Sequence, residues 1–183
     1  GADSAPGGTN RQIAGGSTSV ATAGSVALTG GDGALTDSGV ITGGAVTAAN
    51  TVAITGGADA GGDSVKSESA TVTATSGNVG ITGGANAGSD SIQIFGGATV
   101  TATAGAVTIA GGDDFVNRSV IINNADVQAA GDVTVTTGDD SAPSGTNLQI
   151  AGGSTIVSTA GSVALTGGDG ALTDSVVITG GAV

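Results

Sequence analysis

The 183-residue sequence predicts an all-β fold, a parallel β-helix (three-sided β-solenoid). Three observations predict it: a long near-identical repeat, a shorter repeat inside it, and glycine pairs that separate short β-type segments. The shorter repeat sets about 27 residues per coil, so the chain would form about six and a half coils. Helical spacing of apolar residues is absent, and glycine every few residues would destabilise a helix.

The long repeat joins the two ends of the sequence. Gly1–Val46 recurs as Gly138–Val183 with 40 of 46 residues identical and an offset of 137 residues. The sequence therefore contains one 137-residue super-repeat and the first 46 residues of the next. We expect residues 1–183 to form one continuous solenoid segment, a window of a longer array without caps.

The shorter repeat is marked by a Val-x-(Leu/Ile/Val) segment. It occurs at Val26–Leu28, Val52–Ile54, Val79–Ile81, Val107–Ile109, Val133–Val135 and Val163–Leu165. The spacings are 26, 27, 28, 26 and 30 residues, so five short repeats make one super-repeat. A period in the twenties with fixed apolar positions is typical of a solenoid.

Each short repeat contains three β-type segments, of which the Val-x-apolar segment is the third. The second is marked by a valine, at Val20, Val46, Val72, Val100, Val127 and Val157, and we expect these valines to stack as a ladder in the interior. The first reads apolar-x-apolar in most coils, as in Val65–Ser67, Ile92–Ile94, Val120–Ile122, Leu148–Ile150 and Val176–Ile178. Alternation with period two, rich in Val, Ile and Thr, predicts strands. Ser67 replaces an isoleucine, which predicts a weak first strand in the third coil.

Glycine pairs follow the first and third strands. They occur at residues 15–16, 43–44, 96–97, 152–153 and 180–181, and at residues 30–31, 56–57, 83–84, 111–112 and 167–168. Corners need tight backbone, often with positive φ, which glycine adopts freely. The pairs therefore predict the corners of the coil.

The amino-acid composition argues against several classes of catalytic and binding function. The chain has no Cys, His, Met, Trp or Tyr, so it offers no imidazole or thiol for catalysis and no disulfide. Three cations against 15 acidic residues, a net charge of -12, argue against nucleic-acid binding. No apolar run approaches the roughly 18 residues of a membrane span. We therefore expect neither a nucleic-acid partner nor a membrane span, and no enzyme.

Acidic residues gather in the loop that joins the third strand to the next coil. Twelve of the fifteen lie there: Asp3, Asp32, Asp37, Asp59, Asp63, Asp90, Asp113, Asp114, Asp139, Asp140, Asp169 and Asp174. Stacking would bring equivalent residues about 4.8 Å apart, the spacing of neighbouring strands. Arg118 takes the equivalent place in its own coil and could pair with Asp90 or Asp113.

Three interpretations of this acidic edge stay open. The carboxylates could shape the turns by bonding local backbone N–H groups. Ca²⁺ ions could bridge successive loops, because hard cations bind carboxylate and carbonyl oxygens. The candidate calcium ligands are Asp32, Asp37, Asp59, Asp63, Asp90, Asp113, Asp169 and Asp174. The edge could also bind a basic partner or a glycan.

The repeat units resemble those of a known family. Residues 23–31, Ala-Gly-Ser-Val-Ala-Leu-Thr-Gly-Gly, and residues 130–136, Ala-Gly-Asp-Val-Thr-Val-Thr, are similar to repeats of filamentous-haemagglutinin-type adhesins. Those are secreted bacterial exoproteins, exported by two-partner secretion or as autotransporter passengers. The resemblance covers the whole chain and implies a right-handed β-helix at the bacterial cell surface, used for adhesion or as a stalk.

Two functions follow as expectations. The first is a structural repeat segment of an extracellular bacterial fibre or cell-surface filament that self-associates end to end or laterally. The second is an adhesin stalk, stabilised by calcium, that binds a host or neighbouring-cell ligand. The near-identical super-repeats and the small number of reactive side chains favour the structural segment.

Overall fold

The computed structural model describes residues 11–113, 116–139, 146–169 and 176–183, which form a β-solenoid of about six turns with about 28 residues per turn. These residues form strands, turns and loops, with no helix. None of the described residues therefore belongs to a helix long and apolar enough to cross a membrane. The predicted three-sided β-helix is confirmed.

Three parallel sheets form the sides of the solenoid, each built from one strand per coil. Side A consists of β1 (Arg11–Ala14), β4 (Gly39–Thr42), β7 (Val65–Glu68), β10 (Asp90–Phe95), β13 (Arg118–Asn123), β16 (Leu148–Ala151) and β19 (Val176–Thr179). Side B consists of β2 (Thr18–Ala21), β5 (Ala45–Ala48), β8 (Thr71–Ala74), β11 (Thr99–Ala102), β14 (Asp126–Ala129) and β17 (Thr155–Ser158). Side C consists of β3 (Val26–Thr29), β6 (Val52–Thr55), β9 (Val79–Thr82), β12 (Val107–Ala110), β15 (Val133–Thr136) and β18 (Val163–Thr166).

The interior is filled by stacked apolar side chains, one column or more from each side. Ile94 on side A, Val100 on side B and Ile109 on side C all have 0% exposure in the fourth coil. Each aligns with the equivalent residue of the coils on either side. The narrow cross-section explains how a glycine-rich chain with few large apolar residues still buries a continuous core.

The sequence-based assignment of the side B column is wrong in its first and last members. The strand register places Ser19 opposite Val46, and Ile156 opposite Val127. Val20 and Val157 therefore point outward and are 58% and 40% exposed. Because side chains alternate between faces, a shift of one residue moves a side chain from the core to the surface.

The two kinds of glycine pair exist for different physical reasons. After the first strand, Gly43 has a φ of 60°, and Asn124 takes the equivalent place with a φ of 50°. After the third strand, positive φ does not explain the pair. A Cβ on Gly84 would lie 2.2 Å from the carbonyl oxygen of Gly57 in the preceding coil. Corners are confirmed at both places. The pairs after the third strand are glycine because the backbones of successive coils stack too closely there to admit a Cβ.

The weak strand predicted around Ser67 forms in the structure. Strand β7 pairs with β4 on one side and β10 on the other, and Ser67 lies opposite Ile41 and Ile94. Its side chain is 1% exposed, and its Oγ has no hydrogen-bond partner. The irregularity therefore leaves an unpaired hydroxyl in an otherwise apolar column.

Replacing Ser67 by alanine is expected to stabilise the protein by about 1 kcal/mol, because a buried hydroxyl without a partner costs about 1–3 kcal/mol. The change removes the polar atom without adding volume. Thermal unfolding followed by circular dichroism measures the effect. An unchanged or lower midpoint would show that the hydroxyl is satisfied in solution.

Candidate functional site

The acidic edge is an ordered part of the solenoid in the described residues. Successive loops are joined by backbone hydrogen bonds, for example from Gly61 N–H to Ala34 carbonyl at 2.7 Å and from Gly88 N–H to Ala60 carbonyl at 2.7 Å. Ala34, Ala60 and Ala87 are buried in these loops, with exposures of 1%, 2% and 1%. The edge therefore presents its carboxylates from a stacked scaffold.

The carboxylates of the edge separate into two columns. The outer acidic column consists of Asp32, Asp113, Asp139 and Asp169, all exposed. The inner acidic column consists of Asp37, Asp63 and Asp90, which lie where the loops enter side A. Asp59 belongs to neither: it is exposed, has a φ of 55°, and its Oδ1 accepts a hydrogen bond of 2.8 Å from Asn86 Nδ2.

In the outer acidic column, carboxylates accept backbone N–H groups of the next coil. Asp32 Oδ1 accepts from Ala58 at 2.8 Å, Asp113 Oδ1 from Asp139 at 2.9 Å, and Asp139 Oδ1 from Asp169 at 2.8 Å. This geometry favours the interpretation that these residues bond backbone. The partner lies one coil away rather than in the residue's own turn, so the carboxylates join coils as well as shaping loops.

In the inner acidic column, carboxylates also accept backbone N–H groups of the next coil, but two of the three are buried. Asp37 Oδ1 accepts the Asp63 N–H at 2.9 Å, and Asp63 Oδ1 accepts the Asp90 N–H at 3.1 Å. Asp63 and Asp90 are only 6% and 2% exposed. Cations lie at the two ends of the column: Lys66 Nζ is 3.9 Å from Asp37 Oδ2, and an Arg118 guanidinium nitrogen is 3.4 Å from Asp90 Oδ1. The predicted pairing of Arg118 is therefore with Asp90.

Burial raises the pKa values of the two buried carboxylates of the inner acidic column. Desolvation raises the pKa of Asp63, and the charge of Asp37 adds to the rise, against the N–H of Asp90, the Ser89 hydroxyl and Lys66. Desolvation also raises the pKa of Asp90, to about 6 from an ordinary 3.8, although the Arg118 charge opposes it. Asp63 and Asp90 therefore hold their protons to higher pH than a free aspartate does.

The protein is expected to become more stable in mild acid. Because the folded-state pKa of Asp90 lies above its unfolded-state value of 3.8, the folded protein binds more protons between the two values. The stabilisation is fully present below the unfolded pKa and is lost as the pH rises through about 6. Over that window the folding equilibrium constant should fall on the order of a hundredfold.

Asp90→Asn tests this assignment, because it keeps an oxygen for the Arg118 N–H and removes the titration. The variant should be more stable than the parent at pH 7 and depend less on pH between 4 and 6. Asp132→Asn is the matched control: Asp132 is exposed, and its Oδ1 accepts the Ser162 N–H at 2.8 Å. Equal pH profiles for the two variants would contradict a buried titration at Asp90.

A column of serines that was not predicted from the sequence joins the third-strand corners of successive coils. Ser91 Oγ donates to the Gly84 carbonyl at 3.1 Å and accepts the Gly112 N–H at 2.8 Å. Ser38, Ser64 and Ser119 repeat the arrangement with their own glycines. A constant spacing of seven residues between the second glycine and the serine is the sequence signal that marks this column.

The predicted calcium ligands are not brought together as one metal centre in the described part of the chain. Asp37, Asp63 and Asp90 share the inner column, Asp32, Asp113 and Asp169 lie along the outer one, and Asp59 stands apart. Asp174 lies outside the described residues. No group of three or more acidic residues in the described ranges has the geometry of a metal site. Calcium bridging stays a prediction.

Comparison with known proteins adds no identity. No family model, curated protein or solved structure matches the chain.

Proposed function

We propose that the chain is a structural repeat segment of an extracellular bacterial fibre or cell-surface filament. The observation that carries this proposal is the continuous register of three parallel sheets from coil to coil. Each 137-residue super-repeat adds five coils of the same cross-section, or about 24 Å of length at the strand spacing of about 4.8 Å. The resemblance of the repeat units to secreted bacterial adhesins supports the bacterial, extracellular part of the proposal.

The polar side chains also support a structural role over a catalytic one. Aspartates and serines recur at equivalent places in successive coils and are hydrogen-bonded to backbone of the neighbouring coil. An active site is usually a single cluster on a scaffold, with a proton donor or acceptor tuned for its task. Here the same bond is repeated, and its effect is to hold coil on coil.

Electron microscopy of chains with one, two and three super-repeats tests the proposal. Rods of constant width should lengthen by about 24 Å per added copy. We propose that the rods join further, end to end or side by side, because strand edges pair readily with other strands. Compact particles whose length does not follow the copy number would overturn the structural role.

The second candidate is an adhesin stalk that binds a cell-surface or glycan ligand through its edge and is stabilised by calcium. Its specific support is the outer acidic column, whose exposed carboxylates follow one another on consecutive coils at Asp113, Asp139 and Asp169. Isolated rods with distinct tips and measurable ligand binding would favour this candidate over a uniform filament.

Calcium dependence is tested by unfolding in millimolar Ca²⁺ and in excess EDTA. If calcium bridges the loops, the midpoint should be higher with Ca²⁺, because a ligand that binds only the folded state stabilises it. Asp139→Asn should reduce the difference, whereas Asp132→Asn, outside the edge, should not. Equal midpoints with Ca²⁺ and EDTA would remove calcium from the proposal.

A further inference from the structure

The two copies of the repeated segment differ at positions that face the interior. Arg11 belongs to a column on side A that is at most 1% exposed at Val65, Ile92, Val120 and Leu148. Ser19 belongs to a column on side B that is 0% exposed at Val46, Val72, Val100, Val127 and Ile156. Coil 6, formed by β16–β18, therefore has leucine and isoleucine where coil 1, formed by β1–β3, has arginine and serine.

The arginine and the serine lie in a coil that packs on one side only. Within the described residues, β1, β2 and β3 each pair with a single neighbouring strand, and Arg11 is exposed. Coil 6 follows coil 5 without a break in any of the three sheets, and its Leu148 and Ile156 are both 0% exposed. The junction between the two copies is therefore apolar, whereas the same two columns are polar in coil 1.

The interior beside Arg11 is also incompletely filled. Gly39 is the next residue of the Arg11 column, and the second copy has Val176 at the equivalent position. A cavity of about 10 Å³ remains beside Gly39, lined also by Arg11, Ile13, Leu28, Ile41 and Ile54. The column therefore lacks in coils 1 and 2 the large apolar side chains that fill it in coils 3 to 6.

A second copy that extended the rod in the same direction would bring these polar residues into a closed interior. Beyond coil 6, β19 continues the Arg11 column with Val176, in register with Leu148. Stacking would place the Arg11 of the added copy against Val176, and no described residue of that column is a carboxylate. The guanidinium would lose its water without gaining a counter-charge, which is strongly unfavourable.

We propose that coil 1 is a stop for end-to-end stacking, in which Arg11 and Ser19 prevent a second copy from adding its coils to that end of the rod. The length of a rod is then set by the number of super-repeats in one chain, and rods join side by side. The inference rests on the proposed fibre and decides between the two modes of association proposed for it.

Moving the polar pair into coil 6 tests whether these residues prevent stacking. Leu148→Arg/Ile156→Ser should separate coil 6 from coil 5, so that amide exchange in β16–β18 rises at least about tenfold while β7–β12 keep their protection. Gln149→Arg/Val157→Ser is the matched control, because it places the same residue types at the outward-facing neighbours in the same strands. Equal exchange in the two variants would overturn the inference, since arginine and serine would then be tolerated between stacked coils.

The reverse exchange removes the stop. Arg11→Leu/Ser19→Ile gives coil 1 the residues of coil 6 and should yield rods joined end to end, at least about ten times as many as the parent gives in electron micrographs. Gln12→Leu/Val20→Ile, at the outward-facing neighbours, is the control and should keep the parental rod length. End-joined rods in the parent, or rods of parental length in Arg11→Leu/Ser19→Ile, would overturn the stop.

These outcomes are separable from the fate of the fibre proposal. Parent rods that lengthen with copy number and also join end to end would overturn the stop and leave the structural proposal standing. Compact particles that do not lengthen would defeat the structural proposal, and amide exchange in coil 6 would still decide whether its columns tolerate arginine and serine.

Discussion

Gly84→Ala is expected to destabilise the solenoid by about 3 kcal/mol or more, the upper part of the range for overpacking. An added Cβ would lie 2.2 Å from the carbonyl oxygen of Gly57, 2.4 Å from its carbonyl carbon and 2.7 Å from the nitrogen of Ala58. All three are backbone atoms, so no flexible side chain can move aside.

The stacked loops make relaxation difficult. A Cβ on Gly57 would in turn meet the Gly31 carbonyl at 2.1 Å, and one on Gly112 would meet the Gly84 carbonyl at 2.2 Å. Moving one loop therefore disturbs the backbone contacts of its neighbours on both sides. We expect the loss at Gly84 to appear as a lower unfolding midpoint and as faster amide exchange in the adjoining loops.

Gly80→Ala is the matched control for this prediction. Gly80 lies in β9 of the same coil, no atom lies within 4 Å of its added Cβ, and Ala53 and Thr108 occupy the aligned positions. The control should raise stability by about 0.5–1 kcal/mol, because alanine loses less backbone entropy than glycine. Equal effects of the two substitutions would contradict steric selection at the third-strand corner.

Periodicity is why the fold could be predicted from the sequence. A coil of about 27 residues cannot bury its apolar side chains alone, so successive coils must stack. Stacking places equivalent residues of neighbouring coils side by side, whatever the detailed conformation of the loops. The error at Val20 and Val157 has a physical reason. The repeat pattern does not determine which of two neighbouring residues faces the core, because a valine one position away matches the pattern equally well. The choice is made by packing, since Ile156 fills the core beside Val127 and leaves Val157 outside.

The candidate site was predictable as an edge but not as two columns. Sequence spacing places Asp32 and Asp37 in the same loop, and it does not reveal that Asp37 begins a column directed into side A. Burial separates them in the structure: Asp63 and Asp90 of the inner column are almost inaccessible, whereas Asp32 is exposed. Likewise, the edge carboxylates that bond backbone accept an N–H of the next coil, a partner that only the loop geometry determines; they are Asp32, Asp37, Asp63, Asp113 and Asp139.

Ser91→Ala is expected to destabilise the protein by about 2–4 kcal/mol. Ser91 is fully buried, and its hydroxyl joins the Gly84 carbonyl, in the loop that precedes Ser91, to the Gly112 N–H, in the corresponding loop one coil further on. Alanine keeps the shape and leaves both backbone groups without a partner, at a cost of about 1–3 kcal/mol for each. Chemical unfolding of the variant beside the parent measures the loss.

Ser67→Ala provides the contrast, because it makes the same chemical change at an equally buried serine whose hydroxyl has no partner. The two substitutions should therefore change stability in opposite directions, although each removes one oxygen atom from the interior. If both variants lost stability equally, the general loss of a buried hydroxyl would explain the data better than the glycine–serine bonds. Opposite signs would show that these bonds, repeated at Ser38, Ser64 and Ser119, hold successive coils together at the acidic edge.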